Sequence, residues 1–211
     1  MKVTIFGGTG RTGKPLIERA LQQGMDVTVF ARPSTPFANP RVRVVRGDLL
    51  DRDSLTEAIR GADAVLSALG PTKFRHPKDQ PITRATDAMI SVMKQEGIRR
   101  FICISTGTAR DPHDGFDWKI HLPARLIKVM MPAVYRDIVG LAAAVRASQL
   151  EWTMVRVAFL NDRPATTALN VGVYGRTRHT IAISREDVAQ FMLDQISSRE
   201  FIRKTPGISA K

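Results

Sequence analysis

A doubly wound, mostly parallel α/β sheet is the fold class predicted by three observations. Short β-rich apolar runs alternate with helix-like segments from Met1 to about Arg156, the pattern of parallel strands joined by crossover helices. The helical segments repeatedly stop at a glycine, as at Gly24, Gly61 and Gly97. The first strand passes directly into a helix through a turn with three glycines at equal spacing.

Taken in order, the predicted strands are Lys2–Phe6, Asp26–Ala31, Arg41–Val45, Ala64–Ala68, Arg100–Ser105 and Trp152–Val157. Each is short, as strands buried on both faces are. Lys14–Gln23 carries Leu16, Ile17, Ala20 and Leu21 on one helical stripe and closes at Gly24. Ser54-Leu55-Thr56-Glu57 has capping-box spacing and opens a helix that ends at Gly61. Ile82–Glu96, Tyr135–Ser148 and a segment begun by Ser184-Arg185-Glu186-Asp187, running to about Ile196, complete the helices. From Gly107 to Pro132 the rhythm breaks, with Pro112, Pro123 and Pro132 framing Trp118, Met130 and Met131. This reads as an insertion after the fifth strand, placed either to cover a ligand or to pack as a surface excursion.

The chain has 211 residues, 43% of them hydrophobic, which suits one sizeable core and hence one domain. Its longest nearly unbroken apolar stretch, Ile138 to Val145, is far below the roughly 18 residues of a membrane span, so no membrane partner is expected. The N-terminus shows no export signal and Cys103 is the single cysteine. Both fit a soluble protein of the reducing cytoplasm, with Cys103 a packed thiol of its strand. The net charge of +12 and the absence of any five-residue charge run describe a scattered basic surface suited to phosphates. Without zinc-finger spacing or an RNA-recognition signature, a nucleic-acid partner is not expected. His76, His113, His121 and His179 show no metal-ligand spacing, so no metal is expected.

The glycine turn carries the chemistry. Gly7-Gly8-Thr9-Gly10-Arg11-Thr12-Gly13 follows a strand and opens a helix. There glycines allow a tight turn, approach of the backbone to a pyrophosphate and close helix–strand packing. The helix N-terminus, with free amides and a positive dipole end, then faces the phosphates. A Rossmann-like, dinucleotide-binding sheet is the resulting expectation, with Gly7, Thr9, Gly10, Arg11, Thr12 and Gly13 in contact with the cofactor. At the end of the second strand an NAD site usually places an acidic residue. Here Arg32 stands there, and the next acid after Asp26 is Asp48. A guanidinium grips a 2′-phosphate, and Arg11 is a second candidate for the same group, so NADP(H) is favoured over NAD(H). An Arg32 that projects into solvent is the other reading. Asp48 and Leu49, after the third strand, are candidates for the adenine side, and Asp48 equally suits a turn. Ala68, Leu69 and Gly70, after the fourth, are small enough for close cofactor approach. Ser105 and Thr106, at the end of the fifth, are candidate catalytic hydroxyls or simple strand caps.

These residues, together with Ala62-Asp63-Ala64-Val65, Trp152-Thr153-Met154-Val155-Arg156 and Ile183-Ser184-Arg185-Glu186-Asp187-Val188-Ala189, resemble the atypical short-chain dehydrogenase/reductase superfamily, in the NmrA-like branch that includes the biliverdin-IXβ (flavin) reductases. The resemblance implies NADPH binding and reduction of flavins, quinones or similar acceptors. The Tyr-x-x-x-Lys pair of typical members is absent, since Tyr135 is followed by Val139 and Tyr174 by Arg178. This removes the usual carbonyl acid–base dyad. The Pro-His segment of biliverdin reductases is replaced by Val157-Ala158-Phe159, which argues against biliverdin, while Phe159 offers a ring for stacking or for the core. The expected function is NADPH-dependent hydride transfer to a planar small-molecule acceptor such as free flavin or a quinone. The competing expectation is a non-catalytic NADP(H)-sensing protein. The sequence does not specify an oligomeric state.

Overall fold

The computed structural model describes residues 1–71, 76–166 and 168–211. Six parallel strands, β1 (Lys2–Phe6), β2 (Asp26–Ala31), β3 (Arg43–Arg46), β4 (Ala64–Ser67), β5 (Arg100–Thr106) and β6 (Glu151–Val157), form the sheet predicted from the sequence. Between and after them run α1 (Gly13–Gln22), α2 (Arg52–Ile59), α3 (Pro81–Gln95), α4 (Trp118–Met130), α5 (Pro132–Ala147) and α6 (Arg185–Asp194). Four further strands lie towards the C-terminus: β7 (Phe159–Asn161), β8 (Leu169–Gly172), β9 (Ala182–Ser184) and β10 (Gly207–Ala210). The main sheet is ordered β3-β2-β1-β4-β5-β6-β10-β8, and β7 pairs with β9 separately. The order 3-2-1-4-5-6 reverses between β1 and β4, which opens a crevice at the carboxyl ends of the strands.

Alternation along each strand divides the core between two faces. Val3, Ile5, Leu66, Ile102, Ile104 and Val155 pack with α1 and α6, through Leu16, Ile17, Val188 and Met192. Phe6, Val65, Phe101, Cys103, Trp152 and Met154 pack with α2, α3 and α5, through Leu55, Met89, Met93 and Leu141. Cys103 is buried, and burial pushes its thiol up to about 12, as expected of a packed rather than reactive thiol.

Three differences from the sequence reading have local causes. The α2 cap is Asp51, whose carboxylate accepts from the Ser54 amide at 3.2 Å, so the helix starts before the predicted Ser54. The Gly107–Pro132 segment contains a helix, α4. Asp117 caps it by accepting from the Lys119 amide at 3.0 Å, and Pro123 sits inside it at the expense of one ladder bond. It persists because Ile120 is buried and Ile127 packs on the core. Finally, β10 enters the sheet parallel to β6 and carries β8 antiparallel on its outer side, which ends the parallel pattern.

Candidate cofactor and acceptor site

The turn after β1 is built from glycines for steric reasons. Gly7 has φ +73°, and a Cβ there would meet the Ala68 carbonyl carbon at 2.8 Å. A Cβ on Gly13 would fall 2.1 Å from the Gly7 oxygen. At Gly10, by contrast, a Cβ would meet only the Gly7 oxygen, at 3.2 Å, so its outer side is open. The α1 N-terminus has no side-chain cap and no acidic residue in its first turn. Its amides and dipole are therefore left to an external anion.

Two cavities meet at this turn. One, of about 350 Å³, is lined by Gly7, Thr9, Phe30, Arg32, Leu49 and His76 among others. The second, of about 430 Å³, is lined by Arg11, Thr12, Ser105, Thr106, Ile138 and Leu160 among others. Gly10, Ala68, Leu69, Gly70 and Ile82 line both, so the two form one crevice across the carboxyl ends of β2, β1, β4 and β5. Its small-residue floor and its place at the strand ends fit an extended dinucleotide, with Arg32 at one end and the β5 hydroxyls at the other.

The structure brings most of the sequence candidates to this crevice. Gly7, Thr9, Gly10, Arg32, Leu49, Ala68, Leu69 and Gly70 line its β2 side or its centre, and Thr12, Ser105 and Thr106 its β5 side. Gly13 is buried beneath the turn. Arg32 is exposed and has no ion pair among the described residues. Arg46 braces its loop, donating to the Thr35 and Phe37 carbonyls at 3.0 and 2.7 Å. Arg11 lies on the other side of the turn from Arg32 and pairs with Asp162. Asp48 accepts from the Leu50 amide at 2.8 Å, in a turn, and does not line the crevice. The Ser105 hydroxyl is buried without a hydrogen-bond partner among the described residues, which is unusual for a buried polar group. Thr106 accepts from the Thr108 amide at 3.2 Å.

Two features of the site span distances that sequence spacing cannot reveal. Asp162 joins the glycine turn to α6, accepting from Arg11 and, at 2.6 Å, from Arg185. The Arg11 hydrogen bond, reinforced by Arg185, holds its carboxyl below the usual carboxylate range. Asp137 of α5 is fully buried and caps α3 from outside, accepting from the Ile82 and Thr83 amides at 3.1 and 2.7 Å. It also meets His76 Nε2 at 2.6 Å. Burial acts to raise its carboxyl, but the bonds from His76, Thr83 and Ile82 outweigh this and leave it lowered. This carboxylate thereby fixes His76 and Ile82 against the crevice wall.

Among the described residues no three His, Cys, Asp or Glu side chains group as a metal site, and no helix is long and apolar enough to cross a membrane.

A family model described as NAD(P)H-binding matches residues 7–199. Among curated proteins, Eugenol synthase 2 of Clarkia breweri is 27% identical over 194 residues, covering 86% of this chain and 56% of that protein. The chain thus spans little more than half the length of this relative. Among solved structures, a short-chain dehydrogenase/reductase of Veillonella parvula in complex with NADP superposes with a TM-score of 0.77 at 19% identity. The superposition covers 99% of this chain and 94% of that one. ChuY of Escherichia coli O157:H7, described as an anaerobillin reductase, also gives a TM-score of 0.77 at 19% identity, covering 99% and 97%. With the family model spanning nearly the whole chain and the glycine turn opening onto the crevice, the protein belongs to the NAD(P)H-binding family, on a Rossmann-like fold.

Proposed function

We propose that the protein is an NADPH-dependent reductase that passes hydride to a planar acceptor such as a free flavin or a quinone. The observation that carries the reading is Ser105. Its hydroxyl is buried at the end of β5 with no hydrogen-bond partner among the described residues, in a cavity whose apolar walls are Ile82, Ile104, Ile138, Leu141, Val157 and Leu160. Apolar walls exclude water and accept a flat ring, while the free hydroxyl can donate a hydrogen bond to a carbonyl of the ligand it meets. The bound dinucleotide supplies the hydride, and the acceptor takes one proton besides, from a hydroxyl or from water. Arg32 favours the 2′-phosphate form, because β2 ends without a carboxylate and the guanidinium is free to grip it. Tyr135 and Tyr174 lack the lysine partner of carbonyl reduction, and the Tyr174 hydroxyl is committed to the Arg156 carbonyl at 3.0 Å.

Steady-state oxidation of NADPH with FMN, riboflavin and a soluble quinone tests the proposal. Turnover above the uncatalysed rate with at least one acceptor is expected. Tight NADP(H) binding without turnover of any of them would overturn it in favour of the cofactor-sensing alternative.

A further inference from the structure

Beyond the crevice, a third cavity of about 600 Å³ opens between the end of β5, α4 and the start of α5. Its lining continues that of the Ser105 cavity along the chain: the latter includes Thr106 and Ile138, and this one takes up at Gly107 and at Tyr135, one turn earlier on α5. Its walls combine rings with positive charge. Phe116 and Tyr135 supply aromatic surface, the buried Tyr174 closes the floor, and Arg110, Arg125 and Lys128 project around them.

These three cations have no carboxylate within salt-bridge distance among the described residues. The carboxylate that lines the cavity, Asp114, is already neutralised. Arg156, 0% exposed, holds it through two bonds of 2.6 and 2.7 Å. The same arginine donates to the Thr205 carbonyl at 2.9 Å and stacks on Tyr174, 4.6 Å from the ring centroid, so Asp114 cannot swing to pair with α4. Lys128 Nζ lies over the Tyr135 ring, 5.6 Å from its centroid, a contact that holds the cation at the cavity without cancelling its charge. Along α4 the sequence Trp118–Met130 contains no acidic residue at all. The cavity therefore has an uncompensated positive wall facing aromatic surface, complementary to a molecule that is part ring and part anion.

We infer that this cavity binds the anionic tail of the acceptor, so that the preferred acceptors are planar molecules bearing a phosphate or carboxylate on a side chain. The ring occupies the Ser105 cavity and the tail passes over Thr106 and Gly107 to Arg110, Arg125 and Lys128. This rests on the reductase reading for the ring and on the α4 cations for the tail.

FMN and riboflavin share one ring system and differ by a phosphate, so their ratio isolates the tail. In the wild-type protein kcat/KM for FMN exceeds that for riboflavin. In the double variant Arg125→Gln/Lys128→Gln that ratio falls about tenfold, through KM for FMN, and the preference also shrinks with added salt. Both side chains are exposed on a helix, and NADPH affinity, measured alongside, reports that the fold is intact. An unchanged ratio in the variant overturns the inference. If neither flavin is turned over, the quinone assay decides the reductase reading by itself and the cavity is judged by equilibrium binding to the NADP⁺-loaded protein. Tighter FMN than riboflavin, with the difference lost in the variant, supports it, and equal affinities overturn it.

Discussion

Asp137 lets the energetics of the site be worked through in one substitution. Its buried carboxylate accepts from the Ile82 amide at 3.1 Å, the Thr83 amide at 2.7 Å, the Thr83 hydroxyl at 2.8 Å and His76 Nε2 at 2.6 Å. In Asp137→Ala the two amides at the α3 N-terminus lose their acceptor inside the protein, at about 1–3 kcal/mol each. The Thr83 hydroxyl retains the Asp137 carbonyl at 2.9 Å and adds little. The expected loss is therefore about 2–6 kcal/mol, a large share of a typical domain stability. Asp137→Asn keeps one acceptor oxygen and loses about half as much. Urea unfolding measures both, as a shift in midpoint at constant slope. A loss below about 1 kcal/mol for Asp137→Ala would show that the α3 amides find other partners and would refute the reasoning. The pH dependence has a fixed sign. Because the folded carboxyl is held below the ordinary aspartate value, its contribution is complete above that ordinary value and is lost as pH falls through the folded one. Asp137→Ala therefore lacks this part of the acid destabilisation.

Other substitutions separate function from fold. Ser105→Ala removes a hydroxyl that bonds to no described residue, so thermal stability is expected to stay level or rise by about 1 kcal/mol. On the proposed function its kcat nevertheless falls about tenfold, and equal loss of stability and activity would contradict this. Gly7→Ala strains a φ of +73° and drives a Cβ to 2.8 Å from the Ala68 backbone. It should cost about 2 kcal/mol or more in thermal unfolding and weaken dinucleotide binding measured by titration. Cys103, with its thiol pushed up to about 12 by burial, should resist iodoacetamide at pH 8 until the protein is unfolded; rapid labelling of the native protein would show an accessible thiol.

How legible the fold was depended on how local the determining contacts are. The parallel strands and their helices announce themselves through nearby apolar runs and glycine stops, and β1, β2 and α1 lie within one residue of their expected bounds. The expected third strand, Arg41–Val45, lies at Arg43–Arg46, where register is set by pairing with Thr28–Ala31. The strands β8 and β10 carry only Leu-Asn-Val-Gly and Gly-Ile-Ser-Ala. Such segments become strands through distant pairing, not intrinsic pattern. In α4 the internal Pro123, with Pro112 and Pro132 on either side, masked the helical spacing of Ile120, Ala124 and Ile127. The glycine turn, Arg32 and Ser105 were readable because strand–turn–helix order places them. The Arg11–Asp162 and His76–Asp137 pairs were not, since 151 and 61 residues separate the partners and no local pattern encodes such a meeting.

The most direct test of the cofactor assignment is the affinity of wild type and Arg32→Ala for NADPH and NADH. A charge-assisted grip on the 2′-phosphate is worth about 1.5–3 kcal/mol. The variant should therefore bind NADPH about 10- to 100-fold more weakly and NADH almost as well as wild type does. Equal losses for both dinucleotides, or none for either, would contradict the account.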